Sequence, residues 1–139
     1  MKIKLAMLAL AAMSAKATDD WVSFSYEDKG IKYTRSLYII GAERKGDIIK
    51  IWMRSTPCDA VKKKTIPSCL LRDEYDFSKN QLRTVEFIAY DENGEVTENL
   101  KDKSAEWDDI APDSTGELDS LWVFMETLKA GLWKGYKKQ

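Results

Sequence analysis

Histidine is absent from all 139 residues. That gap removes the serine and cysteine hydrolase triads, histidine-ligated zinc and histidine general bases together. The chain also lacks a Gly-rich phosphate loop, a G-x-S-x-G elbow and an EF-hand pattern. Only 3 prolines accompany 44% hydrophobic and 11% aromatic residues, so collagen-like and fully disordered readings fail and a packed core is expected. The length suits one domain. What remains without these chemistries is compartment and architecture, and both are legible.

Residues 1–17 carry Lys2 and Lys4, an apolar run from Leu5 to Met13 and then Ala15-Lys16-Ala17, the three parts of a secretory signal cleaved after Ala17. The run of nine residues covers about 14 Å as a helix, too little for a hydrocarbon core roughly 30 Å thick. No cysteine stands near the cut, so a lipid anchor has no attachment point. Removing Lys2, Lys4 and Lys16 from the 22 basic residues leaves 19 against 23 acidic ones, a formal charge of −4. Nucleic acid is a poor partner for such a chain, because duplex binding needs a clearly basic face. An exported product, periplasmic or secreted rather than anchored at the cell surface, is the expectation. In an oxidising compartment Cys58 and Cys69 should pair, a structural staple rather than a redox or zinc motif.

Residues 18–139 read as a single α+β domain, an antiparallel sheet of about six strands with one C-terminal helix packed on it. Trp21 to Tyr26 alternates, Asp28-Lys29-Gly30 turns, and Ile31 to Thr34 resumes. Ile48 to Arg54 is the strongest run and is placed centrally. Ser68 to Phe77 fits a strand near an edge, or less well a short helix. Gln81 to Tyr90 is a long strand with Val85, Phe87 and Ala89 facing the core while Thr84 and Glu86 point away. Asp91-Glu92-Asn93-Gly94 then turns the chain into Glu95 to Asn99. Lys101 to Asp109 reads as a loop that pins Trp107. Ser114-Thr115-Gly116-Glu117 is a capping box, with the Glu117 carboxylate reaching back to the N–H of Ser114. Leu118, Leu121, Trp122, Met125, Leu128 and Leu132 follow as one apolar stripe, and Gly131 supplies the stop. Residues 133–139 read as a flexible tail.

The order Trp21, Trp52, Leu70-Leu71-Arg72-Asp73-Glu74-Tyr75-Asp76, Arg83, Tyr90-Asp91-Glu92-Asn93-Gly94, Trp107, Pro112-Asp113-Ser114 and Leu118 resembles the surface-adhesin protein E family across nearly the whole mature chain. The resemblance implies an exported bacterial domain with an antiparallel sheet and a C-terminal helix. It also implies a non-enzymatic function, binding host matrix or serum proteins such as vitronectin, laminin and plasminogen. The chain departs from the family where Phe77 replaces a Cys that commonly follows the Asp, and where the late helix lacks the matching Cys.

Among candidate sites, Lys62, Lys63 and Lys64 lie in the loop between the cysteines, a constrained basic projection suited to sulfated glycans or acidic partner surfaces. Solvated surface lysines are the plainer account. The dense carboxylates Asp73, Glu74 and Asp76, with Asp108 and Asp109 later, would permit an acid/base pair or a cation site, Glu74 and Asp76 sharing a strand face. Exposed strand and loop acids explain them more simply, so no enzyme, metal or cofactor is expected. The alternative to adhesion is a periplasmic binding or inhibitor module that presents a sheet edge or a Trp-rich face to one protein or small ligand. Core packing is the expected use of the tryptophans except Trp133, and open edges allow a homodimer.

Overall fold

The computed structural model describes residues 16–18, 20–61 and 64–137. The expected leader lies outside them except for Lys16 and Ala17. In chain order the elements are β1 (Lys16–Thr18), β2 (Trp21–Asp28), β3 (Ile31–Tyr38), β4 (Glu43–Lys45), β5 (Ile48–Thr56), β6 (Cys58–Val61), β7 (Lys64–Ile66), β8 (Ser68–Asp76), β9 (Gln81–Tyr90), β10 (Val96–Lys101), β11 (Asp108–Asp109) and the helix α1 (Thr115–Lys129). The main sheet runs β1-β2-β3-β5-β8-β9-β10, with β4 beside β5 and β11 beside β9, while β6 and β7 form a separate hairpin. Every pairing is antiparallel. The arrangement is therefore α+β, and the six expected strands are its long ones. Residues 68–76 are a strand inside the sheet, not at its edge. Among the described residues no helix is long and apolar enough to cross a membrane.

Side chains alternate across a strand, so each long strand sends one set to a covered face and the other to solvent. The covered set is Phe24 and Tyr26 on β2, Tyr33, Arg35 and Leu37 on β3, Ile49, Ile51, Met53 and Ser55 on β5, and Cys69, Asp73 and Tyr75 on β8, all buried. Two lids close over this face. Helix α1 brings Leu118, Trp122 and Val123 onto the aromatic and aliphatic cluster that includes Phe24, Leu37, Ile51 and Tyr75. The β6–β7 hairpin brings Cys58 onto Cys69, Phe87 and Ala89, with Leu71 and Ile66 packed alongside. The expected disulfide joins Cys58 to Cys69 with a Cα–Cα distance of 5.5 Å. Closing that short loop contributes about 3 kcal/mol by the chain-entropy argument.

The helix begins as its sequence requires, with the Ser114 hydroxyl accepting from the Glu117 N–H at 3.2 Å. The reciprocal bond differs: the Glu117 carboxylate accepts from Asp113 N–H, at 3.2 Å, one residue before the cap, because the Ser114 N–H is turned to the Ala111 carbonyl. At the other end Gly131, at φ 81°, lets Leu132 N–H reach Thr127 O and Gly131 N–H reach Leu128 O, both at 3.1 Å. This is the paired closure that a left-handed residue permits.

The face that α1 buries is not the expected stripe. Leu118, Asp119, Trp122, Val123, Glu126 and Thr127 are inside, while Leu121 and Leu128 are exposed. The helix is turned by roughly 100°, about one residue step, from the orientation its leucines suggest. Buried polar partners explain the turn. Asp119 pairs with Arg35 on β3, and the Thr127 hydroxyl donates to Val123 O at 2.7 Å and accepts the Trp133 indole N–H at 2.9 Å. That last bond docks the segment expected to fray: Trp133 packs edge-on to Phe77 and Tyr136, under the Arg44 guanidinium.

The solvent face of the sheet carries three of the five tryptophans, each beneath an arginine: Arg54 over Trp21, Arg72 over Trp52 and Arg83 over Trp107, at 4.4, 5.0 and 4.5 Å from the ring centres. Only Trp122 serves the core as expected. Arg83 also donates to Ala105 O at 3.0 Å, so the 101–109 loop is held through its indole.

Candidate functional site

Between the two lids the covered face is open, leaving a cleft of about 480 Å³. Its walls are apolar: Met53 from β5, Leu71 from β8, Val85 and Phe87 from β9, Leu100 from β10 and Cys58 of the disulfide. Arg35, Asp73, Thr84 and Asp119 bring polar groups into the same space, and Glu86 and Asp102 line it as well.

Strand register places Arg35, Asp73 and Thr84, and the helix places Asp119. Arg35 stands opposite Ser55 on β5 and donates to its hydroxyl, and its Nε donates to Asp119 Oδ1 at 3.3 Å. Its guanidinium also lies 5.7 and 5.3 Å from the ring centres of Tyr26 and Tyr33, so a buried cation is held by a carboxylate, a hydroxyl and two π faces. Ser55 in turn donates to Pro57 O at 2.7 Å. Asp73 sits on β8 between the core-facing Leu71 and Tyr75, and Thr84 reaches it through an irregularity in β9. The register pairs Arg72 with Glu86 but Asp73 with Thr84. Val85 is therefore the extra residue of a bulge, and both Thr84 and Val85 line the cleft. Thr84, expected to point outward, is re-aimed by the bulge and donates to Asp73 Oδ1 at 2.6 Å. The Tyr75 hydroxyl approaches Asp73 Oδ2 at 3.4 Å.

Burial raises the Asp73 carboxyl to about 6, against smaller lowering effects of the Thr84 and Tyr75 hydroxyls and the Arg35 charge. The same burial, with Asp73 and Asp119 nearby, lifts the Tyr75 phenol well above its ordinary range. Because the folded carboxyl binds its proton more tightly than the unfolded one, the stability this group supplies is present below about pH 4. It is lost as pH rises through about 6. Asp73→Asn should accordingly match the parent near pH 4 and exceed it by about 2–3 kcal/mol at pH 7.5. Urea unfolding of both proteins at the two pH values measures this, and equal gaps at both would contradict it. An ionisable group set in a cleft at a cost to stability is the kind of residue that meets a ligand.

The other expected acids do different work. Glu74 lies on the solvent face, bonded to Arg83 at 2.8 Å with Lys50 at 3.8 Å. Asp76 is buried and holds the following turn, accepting from the Ser78 hydroxyl at 2.7 Å, Ser78 N–H at 3.0 Å and Lys79 N–H at 3.1 Å. Asp108 and Asp109 are exposed on β11, where Asp109 accepts from Gln81. The expectation that Asp73 and Asp76 are exposed acids is thus overturned, and Glu74 and Asp76 form no shared pair. Among the described residues no group of three or more Cys, Asp or Glu could hold a metal ion. Lys64 opens β7 opposite Val61, and Lys62 and Lys63 lie outside the described residues.

Arg35, Ser55 and Asp119 were missed by sequence reasoning. A signal for two existed: Arg35 and Ser55 occupy core-parity positions in strands whose neighbours on that face are apolar. Asp119 had none, because only its partner 84 residues away makes burial tolerable. No family profile, curated protein or solved structure matches this chain.

Proposed function

We propose that the protein is an exported, non-enzymatic binding module whose cleft between α1 and the disulfide-held hairpin takes a small ligand with an apolar body. The observation that carries this is the cleft itself. Its 480 Å³ lies within the range of about 300–1,000 Å³ of small-molecule pockets, and its walls combine apolar side chains with a few convergent polar groups, as such pockets do. Export draws its support from the leader-like start and from the Cys58–Cys69 bond, which persists in oxidising compartments. The disulfide has a part in binding, since it ties the hairpin wall to β8.

Adhesion to host matrix or serum proteins is a second reading. It draws on the resemblance to the protein E family and on the Arg–Trp pairs of the uncovered sheet face, residue types that favour protein interfaces. One experiment separates the two. The mature protein is titrated with a panel of small apolar probes and, in parallel, with immobilised vitronectin, alongside Leu71→Trp, which fills the cleft, and Arg54→Glu/Arg72→Glu, which alters the open face. Probe binding lost in Leu71→Trp alone is the expected result. Vitronectin binding lost in the Arg double variant, with no probe bound, would replace the first reading by the second.

A further inference from the structure

Resting on the cleft reading, we infer that the ligand class is a protonated primary amine carrying an apolar body, its ammonium seated against Asp73 and its body lying on Leu71, Val85 and Phe87. The charges around the cleft point this way. The cation that lines it, Arg35, is engaged by Asp119 and Ser55 and lies against two tyrosine rings. An anion entering the cleft would therefore meet Asp73, Asp119 and, towards solvent, the exposed Asp102, with the guanidinium already committed.

Asp73 favours a donor. A carboxylate offers roughly four acceptor positions, and the bonds it receives are one short contact from Thr84 and one long one from Tyr75. A hydrogen-bond donor from the ligand can be accommodated without displacing either hydroxyl. A charged donor gains most there, because a charge-assisted bond in a poorly solvated site is about twice as strong as a neutral one. The apolar walls exclude a bare hydrated cation, which would lose its water shell without oxygen ligands to replace it. An alkyl or arylalkyl chain instead covers surface that the two lids leave open. Every charged or titratable group facing Asp73 from the packed elements enters this balance: Arg35 from β3, Tyr75 on β8, Asp119 from α1, and Glu86 and Asp102 beyond Thr84.

The test uses calorimetric titration of the mature protein with hexylamine and phenethylamine, against hexanol and hexanoate as matched neutral and anionic probes. The amines should bind at least tenfold more tightly than hexanol, and hexanoate should not bind. Both amines remain protonated from pH 5 to 7.5, so their affinity should fall about tenfold at the lower pH as Asp73 takes up its proton. Asp73→Asn should lose the preference for amine over hexanol. The pH dependence of the parent protein tests the same point should that variant fail to fold. Hexanol or hexanoate binding as tightly as the amines, or amine affinity unchanged with pH, would overturn the amine inference and leave the cleft reading standing. No probe binding at any pH would remove both.

Discussion

Asp119→Ala should lower the unfolding free energy by about 3–5 kcal/mol, the usual cost of leaving a buried charge without its partner. Arg35 is 3% exposed and the Asp119 side chain 10%, so water entering from the cleft offsets only part of the lost carboxylate. The two π faces beside the guanidinium recover only part, of order 2 kcal/mol in a desolvated site. The pair spans 84 residues and ties helix to sheet, so the loss should appear as a cooperative shift in the urea midpoint rather than as local fraying. Removing both charges tells a different story. Arg35→Met combined with Asp119→Leu should be far less damaging than Asp119→Ala alone, because an apolar pair of similar volume replaces a buried ion pair at little or no cost. A single variant within 1 kcal/mol of the parent would mean that the helix does not depend on the pair.

Trp122→Ala should cost a similar amount, about 3–5 kcal/mol, by cavity formation and lost apolar burial. The indole is 1% exposed and lies 4.5 Å from the Phe24 ring centre, at the middle of the helix–sheet contact. Its N–H is buried without a hydrogen-bond partner among the described residues. Trp122→Phe, which discards that unsatisfied donor, should therefore stay within about 1.5 kcal/mol of the parent. Leu121→Ala provides the contrast. The two residues are neighbours in the expected stripe, but Leu121 is 38% exposed, and its truncation should cost well under 1 kcal/mol. Comparable losses from Leu121→Ala and Trp122→Ala, measured by thermal or urea unfolding, would show that the helix presents its leucines to the sheet after all.

These two experiments mark where periodicity reading fails. Hydropathy assigns leucines to the inside and carboxylates to the outside, and for an isolated amphipathic helix that choice is sound. Here Asp119 and Thr127 have partners on other elements, Arg35 and Trp133, and their satisfaction turns the helix. Thr84 fails for a different reason. Alternation along β9 is correct from Val85 to Ala89, and one extra residue then reverses the parity of everything before it. A bulge is invisible to a period-two count because it changes the count itself. The short strands β1, β4, β6, β7 and β11, of two to four residues, are too brief for alternation to register.

The sequence by itself determined the fold class, the six long strands and the start and stop of the helix, together with the pairing of Cys58 with Cys69. Each of these depends on residues close along the chain or on a choice with a single solution. Tertiary structure alone decided which side of the helix is buried, that Asp73 is buried and receives the Thr84 hydroxyl, and that a cleft remains between helix and hairpin. Those features arise from groups tens of residues apart whose charges and hydroxyls are tolerable in the interior only once they have met.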